Sequence, residues 1–326
     1  MNKVIVITTG GTIAMTTDRE SQSMKPTDPH LLEKAVPLLN DYADVEMEAF
    51  ANFPSAHVTP DTMRKLSETI GTYINRSDVS GIVVTHGTDT LEETAYFLDL
   101  VLPQAKPVVV TGAMRGFDEC GPDGPSNMVN AVRVAAEPTS SGKGVMVVFN
   151  EEIHAARWVT KTHTSNVAAF RSPQNGPIGI VTKSGPLFYN TPLEQRKITL
   201  TNPVKANVAL IKAAAGTDDL FFRAATDAGV DGIVLEALGQ GNIPPQMMPG
   251  LKDAIKSGIP IVIVSRSLSG VVQDVYGYEG GGKQLKDLGV IFSNGLNAQK
   301  ARIKLILALS NTNDTAELKR VFSDHI

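Results

Sequence analysis

The sequence predicts an α/β protein of two doubly wound domains, a larger N-terminal one on a parallel sheet and a smaller, Rossmann-like C-terminal one. Three observations carry this. The β-branched runs are continuous rather than alternating, which marks strands buried on both faces. Amphipathic stretches of helical length separate them. The alternation lapses from Ser184 to Pro203, a Pro-, Thr- and Asn-rich segment with no helical period, and then resumes.

In the first half, strands are expected at Val4–Thr8, Val45–Ala51, Gly81–Thr85, Pro107–Thr111 and Gly144–Phe149. Helical patterns lie between them at His30–Leu39, Pro60–Asn75, Thr90–Leu102 and Ser126–Ala136. The second half offers strands at Val208–Ile211, Gly232–Leu235, Ile259–Val264 and Val290–Ser293. Its helices are expected at Asp218–Ala228, Pro245–Ser257 and Ala298–Leu309. The domains are therefore placed at 1–190 and 205–326, with 191–204 as linker.

With 326 residues, 42% hydrophobic and 20% charged, each half can bury a core. The net charge is −4 and there is no basic tract, so nucleic acid is not an expected partner. Cys120, the single cysteine, excludes an intrachain disulfide and a cysteine-based zinc site. No metal and no organic cofactor are expected. MNKVIVITTGG lacks the apolar length of a signal peptide, and runs such as IPIVIV (Ile259 to Val264) are too short to span a bilayer. A soluble, cytoplasmic protein is expected.

Two turns are chemically unusual. VIVITTGGTIA (Val4 to Ala14) and GIVVTHGTDTLEE (Gly81 to Glu93) each end a buried strand in glycine flanked by threonines. In an open parallel sheet ligands bind beyond the carboxyl ends of the strands, which is where both turns fall. Gly10 and Gly11 permit a tight turn that exposes N–H groups, as an oxyanion hole requires, and Gly87 does the same from the second strand. Thr12 and Thr88 then present hydroxyls, and Asp89 adds a carboxylate suited to an ammonium group. A hydroxyl nucleophile needs a neighbouring base. WVTKTHT (Trp158 to Thr164) supplies Lys161. Taken singly these residues have plainer roles: a glycine turn, a helix cap at Asp89, a surface lysine. Together Thr12, Thr88, Asp89 and Lys161 form a combination that points to catalysis at a threonine hydroxyl.

Taken in order, TGGTIA (Thr9 to Ala14), THGTDTLEETAYFL (Thr85 to Leu98), VVVTGAMR (Val108 to Arg115), DGPSN (Asp123 to Asn127), TKTHTSNVAAF (Thr160 to Phe170) and NAQKARIKL (Asn297 to Leu305) resemble the bacterial-type L-asparaginases and the related glutaminase-asparaginases. The resemblance implies hydrolysis of L-asparagine to L-aspartate and ammonia through a threonine acyl-enzyme. It makes Thr12 the nucleophile and Thr88, Asp89 and Lys161 the second catalytic cluster. It gives Ser55, in FPSAHVTP, the substrate α-carboxylate, Asp89 the α-ammonium, and Asn242, in GQGNIP, the amino-group region from a neighbouring subunit. A homodimer or homotetramer with sites near subunit interfaces follows from the same resemblance.

The chain departs from the secreted members of that family in three places. No tyrosine lies between Thr12 and Tyr42, where TTDRESQSMKP (Thr16 to Pro26) stands for a loop that usually carries one. Ala56 follows Ser55 where Gln or Glu is usual. In VVQDVYGYEGGG (Val271 to Gly282), Tyr276 or Tyr278 is the candidate to replace both a missing acid and the absent phenol.

Two rival readings stand beside this one. GYEGGGKQ (Gly277 to Gln284) nearly spells a P-loop, but Gln284 occupies the position of the magnesium-binding hydroxyl, so an exposed glycine-rich loop is expected. The glutaminase-type subunit of a tRNA-dependent amidotransferase shares the catalytic core but carries a further N-terminal domain, whereas the first signature here begins at Thr9.

Overall fold

The computed structural model describes residues 1–18, 23–26, 36–200 and 203–323. The chain divides into two compact units, Met1–Lys197 and Ile198–Ile326.

The first unit opens with β1 (Lys3–Thr8), the hairpin β2 (Met15–Asp18) and β3 (Ser23–Pro26), α1 (Val36–Leu39) and β4 (Asp44–Ala49). Then come α2 (Pro60–Ile74), β5 (Val79–Thr85), α3 (Leu91–Val101), β6 (Val108–Thr111), α4 (Gly124–Ala136) and β7 (Val145–Phe149). Five short strands complete it: β8 (Glu152–Ala155), β9 (Thr160–Lys161), β10 (Phe170–Arg171), β11 (Gly179–Thr182) and β12 (Gly185–Phe188).

Eight of these strands form one sheet, in the order β12-β11-β8-β7-β6-β5-β1-β4. The five from β7 to β4 are parallel; β8, β11 and β12 extend the sheet antiparallel. The parallel strands are buried on both faces. Val4, Val6, Val83, Val109 and Val148 pack with Met128, Ala131 and Ala135 of α4, while the intervening Ile5, Ile7, Ile82 and Val84 face the other side. Helix starts follow the local chemistry. Thr59 caps α2 by accepting the Thr62 N–H at 3.2 Å, with Pro60 fixed in the first turn.

The five parallel strands, numbered by their order along the chain, lie as 2-1-3-4-5. Their order reverses between β1 and β5, so the crevice beyond the carboxyl ends of those two strands is the topological switch point where such sheets bind ligands. The last residues of β1, β5 and β6, Thr8, Thr85 and Thr111, lie side by side there in register.

The second unit is a four-stranded parallel sheet in the order β13-β14-β15-β16. Its strands are β13 (Val208–Lys212), β14 (Gly232–Ala237), β15 (Ile261–Ser265) and β16 (Ile291–Phe292). The helices α5 (Leu220–Asp227), α6 (Met248–Lys256), α7 (Gly282–Asp287), α8 (Ala298–Leu309) and α9 (Thr315–Phe322) accompany it. Its core joins Phe222, Met248, Leu251 and Leu285 to Ile233, Leu235 and Ile263.

The expected α/β class with a larger parallel-rich first domain is borne out, with corrections of detail. The helix expected over His30–Leu39 is described only at Val36–Leu39; residues 30–35 lie outside the described residues. Gly185–Phe188, expected to belong to the irregular segment, is an edge strand of the large sheet. Gly280, Gly281 and Gly282 are not an exposed loop. They are buried, and a Cβ on each would fall 2.3 Å from a backbone oxygen, on Ile243, Tyr276 and Gln273 respectively. They lead into α7, and the Gln284 side chain accepts the Gly280 N–H at 2.8 Å where a P-loop would hold phosphate.

At the end of the first unit the chain is pinned to α3. The buried Asp99 carboxylate accepts from Gln195 Nε2 at 2.8 Å and from Val145 N–H at 2.9 Å, and the Lys197 ammonium donates to the Asp99 carbonyl at 2.5 Å. Burial pushes the Asp99 carboxyl above its ordinary value, against the pull of Lys197 and the Val145 N–H.

Candidate active site

The site is assembled from the ends of β1 and β5, and glycine makes it. Gly10 and Gly11 hold φ of 100° and 86°, conformations that L side chains rarely adopt. A Cβ on Gly10 would lie 2.6 Å from the Phe53 nitrogen, and one on Gly11 would lie 2.3 Å from the Gly87 Cα. A Cβ on Gly87 would meet the Ser55 Cβ and Oγ at 2.7 Å. Three segments distant in sequence therefore touch backbone to backbone. Thr12 and Thr88, each following one of the contacting glycines, are brought to the same place.

The surrounding threonines divide by role. Thr9 Oγ1 donates to the Thr85 carbonyl at 2.9 Å and Thr111 Oγ1 to the Val148 carbonyl at 2.7 Å, so these hydroxyls satisfy backbone beyond the ladder. Thr12 opens a short 3-10 turn, Thr12–Ala14, and is partly exposed. Thr88 is 7% exposed and accepts a hydrogen bond from the Lys161 ammonium at 2.9 Å. The same ammonium donates to Asp89 Oδ1 at 2.8 Å. Asp89 does not cap α3: its carboxylate goes to Lys161, with 69% of the side chain exposed to the crevice, whereas the Lys161 side chain is 17% exposed.

Ser55 is buried in the 3-10 turn Ser55–His57. Its Oγ accepts the Asp89 N–H at 3.2 Å, and its carbonyl accepts from Thr90 Oγ1 at 2.8 Å. Ala56, beside it, is exposed. Thr12, Ser55, Thr88, Asp89 and Lys161 thus lie in one neighbourhood together with the Gly11 and Gly87 turns. Asn242 belongs to the second unit, in the turn after β14, where its Oδ1 accepts the Gly282 N–H at 3.2 Å. Tyr276 and Tyr278 are exposed in the same unit, with ring centroids 5.5 Å apart.

Two further residues shape the second turn. His86 is buried; its Nδ1 lies 2.8 Å from the Gly87 carbonyl and its Nε2 2.9 Å from Thr94 Oγ1. Burial lowers its pKa to about 4, opposed by the Gly87 carbonyl. The ring is therefore neutral near pH 7, with Nδ1–H donating to Gly87 and Nε2 accepting from Thr94. The other residue is Glu92 of α3, which is 4% exposed. Its Oε1 accepts from Thr160 Oγ1 at 2.9 Å and from the Lys161 N–H at 3.2 Å. Sequence reasoning passed over both. The signal for Glu92 was an acid in the first turn of a helix whose residues from Leu91 to Leu100 are, Glu93 aside, buried.

The family model "Asparaginase, N-terminal" matches residues 3–194, and "Glutaminase/Asparaginase C-terminal domain" matches residues 207–322. The chain is 39% identical to a probable L-asparaginase of Deinococcus radiodurans, covering 99% of this chain and 98% of that protein. It is likewise 39% identical to an L-asparaginase of Bacillus licheniformis, over 95% of this chain and 96% of that protein. The crystal structure of a probable cytoplasmic L-asparaginase from Campylobacter jejuni matches with a TM-score of 0.90 and 34% identity, covering all of both chains. None of these matches supports the P-loop or amidotransferase readings. The chain belongs to the asparaginase family.

Proposed function

We propose that the protein is an L-asparaginase, an amidohydrolase that converts L-asparagine and water to L-aspartate and ammonia through a threonine acyl-enzyme. The observation that carries this is the Lys161 ammonium shared between Thr88 Oγ1 and Asp89 Oδ1 at the sheet's switch point, next to the turn that presents Thr12. The family membership supports the same activity.

In this reading Thr12 Oγ1 attacks the side-chain amide carbon and its proton passes to the leaving nitrogen as ammonia departs. Backbone N–H groups of the Gly11 and Gly87 turns stabilise the oxyanion. Lys161 donates to Thr88 Oγ1, so the Thr88 hydroxyl directs its own proton into the crevice, where it relays protons and orients the water that releases aspartate. Asp89 holds the substrate ammonium and Ser55 its α-carboxylate. Asn242 approaches the amino-group region from a neighbouring copy of the chain, which makes the working unit a homodimer or homotetramer. Mixing Thr12→Val with Asn242→Ala chains tests this, since hybrid oligomers then hold some sites with both residues intact. Activity in the mixture above the sum of its parts supports the shared site; strict additivity defeats it.

Asparagine and glutamine differ by one methylene, which a pocket discriminates by only about 1–3 kcal/mol. Ala56 withholds one side-chain hydrogen bond from the substrate ammonium, and the longer, more flexible glutamine loses more rotamer freedom on binding. Ammonia release from L-asparagine is therefore expected to exceed that from L-glutamine by about tenfold or more in kcat/KM, equivalent to roughly 1.4 kcal/mol. Parallel assays with L-asparagine, L-glutamine and D-asparagine decide it. Absence of ammonia from L-asparagine defeats the proposed function, and equal rates on both L-amides defeat the selectivity. A cytoplasmic location is part of the proposal. Among the described residues no helix is long and apolar enough to cross a membrane, and the Campylobacter jejuni neighbour is named a cytoplasmic enzyme. Cell fractionation is the check.

A further inference from the structure

We propose that Glu92 is a positioning residue that fixes the Lys161 ammonium against Thr88 by tethering the strand on which Lys161 sits. The proposal rests on the reading of Lys161 given above. Lys161 ends β9, a strand of two residues paired with the two residues of β10, and this ribbon is separate from the eight-stranded sheet. Beyond it, Thr162 bonds the Ala169 carbonyl through both its N–H and its hydroxyl, and residues 163–166 are exposed. So short a ribbon holds a catalytic lysine weakly by its ladder alone.

Glu92 supplies the missing anchor. It lies in the first turn of α3, where a carboxylate is favoured by the helix dipole. Thr88 and Asp89 lie just ahead of that same turn. One oxygen of the buried carboxylate takes both the Thr160 hydroxyl and the Lys161 N–H. The result is a closed ring: from Thr88 and Asp89 along the chain to Glu92, across to the Lys161 backbone, and back through its side chain to Thr88 and Asp89. Charge-assisted bonds in a water-poor place are the strong kind. A lysine side chain on its own has several freely rotating bonds, so fixing its backbone decides whether the ammonium rests on Thr88 or drifts.

The test separates geometry from stability. Glu92→Leu removes the acceptor and keeps the bulk; kcat on L-asparagine is expected to fall about 100-fold, the effect of displacing a catalytic group by roughly 1 Å. L-Aspartate affinity, measured by calorimetry, is expected to stay within about threefold, because Ser55 and Asp89 still anchor it. Glu92→Gln keeps one acceptor oxygen and is expected to restore kcat to within about fivefold of wild type, the loss of charge assistance alone. Thr160→Val cuts one of the two bonds and is expected to lower kcat about tenfold. Glu92→Leu within threefold of wild-type kcat overturns the proposal, as does Glu92→Gln as impaired as Glu92→Leu. Should Glu92→Leu fail to fold, Thr160→Val decides: a loss near tenfold upholds the tether and a change below twofold overturns it. Lys161→Met is assayed alongside. If it is active, the reading of Lys161 falls; if it is inactive while Glu92→Leu is active, only the tether falls.

Discussion

Both units place glycine turns beyond the ends of some of their parallel strands, yet the turns serve different ends. In the first unit, Gly10, Gly11 and Gly87 are required twice over, for backbone conformation at the first two and for contact at all three. In the second, Gly216 and Gly239 follow β13 and β14 with φ of 76° and 46°, and a Cβ on either would meet nothing within 4 Å. The Gly216 turn is closed instead by its own hydroxyl, with Thr217 Oγ1 donating to the Ala214 carbonyl at 3.0 Å. A glycine that only turns the chain leaves the loops independent. In the first unit, glycines that let two backbones touch couple the side chains on either side, and the proposed chemistry sits at that coupled pair of strands.

Four substitutions probe that contrast, from the largest effect downward. Thr12→Val keeps the shape of the first turn and removes its hydroxyl. The expected loss in kcat is on the order of 10⁴-fold with an unchanged melting curve; retention of a few per cent of wild-type turnover would remove Thr12 as nucleophile. Gly11→Ala inserts a methyl into the contact with Gly87 at a φ of 86°. Strain and overpacking together are expected to destabilise the fold by about 2–5 kcal/mol and to depress activity in whatever remains folded. Urea unfolding and a rate per folded molecule measure the two effects, and a variant with wild-type values for both breaks the comparison.

The third concerns pH. His86 titrates near 4 in the folded protein against 6.5 for a free side chain. The unfolded chain therefore takes up its proton first as pH falls. Stability from the neutral ring is complete above about pH 6.5 and is lost between there and about pH 4, on the order of 3 kcal/mol in all. Asp99 acts in the opposite sense: its carboxyl titrates above the usual range, so protonation in the folded state adds stability as pH falls. Comparing wild type with His86→Asn isolates the histidine, and a stability difference that stays constant from pH 7 to 4 would rule it out. The smallest effect belongs to Gly216→Ala. With open space around it, only the left-handed backbone opposes the methyl, at about 1–2 kcal/mol, and kcat is expected to be unchanged.

The parallel strands were legible because burial on both faces leaves continuous apolar runs. VIVIT, GIVVT and VMVVF each came within two residues of the observed bounds. The antiparallel edge was not legible. β8 reads EIHA, with a polar residue at its buried His154, and β12 reads GPLF, half-exposed and opened by Gly-Pro. Such strands are recognised by their neighbours rather than by their own composition. β9 and β10 are two residues each, too short for any period. α7 was hidden because the glycines before it pack against backbone instead of forming the loop they suggest. Within the site, the glycine turns, Thr12, Thr88 and Asp89 could be placed from pattern. Lys161 could be nominated as a base from its setting among threonines, but its pairing with Thr88 and Asp89 came only by resemblance, since 72 residues separate it from Asp89. Glu92 escaped because an acid in a first turn ordinarily faces water, and only the fold turns this one inward.

The strand order has a consequence for the time at which the protein becomes active. Its ladder joins β1 to β4 on one side and to β5 on the other, so the first strand made waits for partners that follow well behind it. Thr9 meets Thr85 across 76 residues, Asp89 meets Ser55 across 34, and Lys161 meets Thr88 across 73. Closures of that length are slow compared with helix formation. On dilution from denaturant, helical circular dichroism is therefore expected to return before the ability to release ammonia, and coincident recovery of the two would place the long closures early. During synthesis the same order means that a chain halted after α3 carries both Thr-rich turns and no lysine to serve them. On the proposed role of Lys161, activity awaits β9, and free threonines on an unfinished sheet do no chemistry in the meantime.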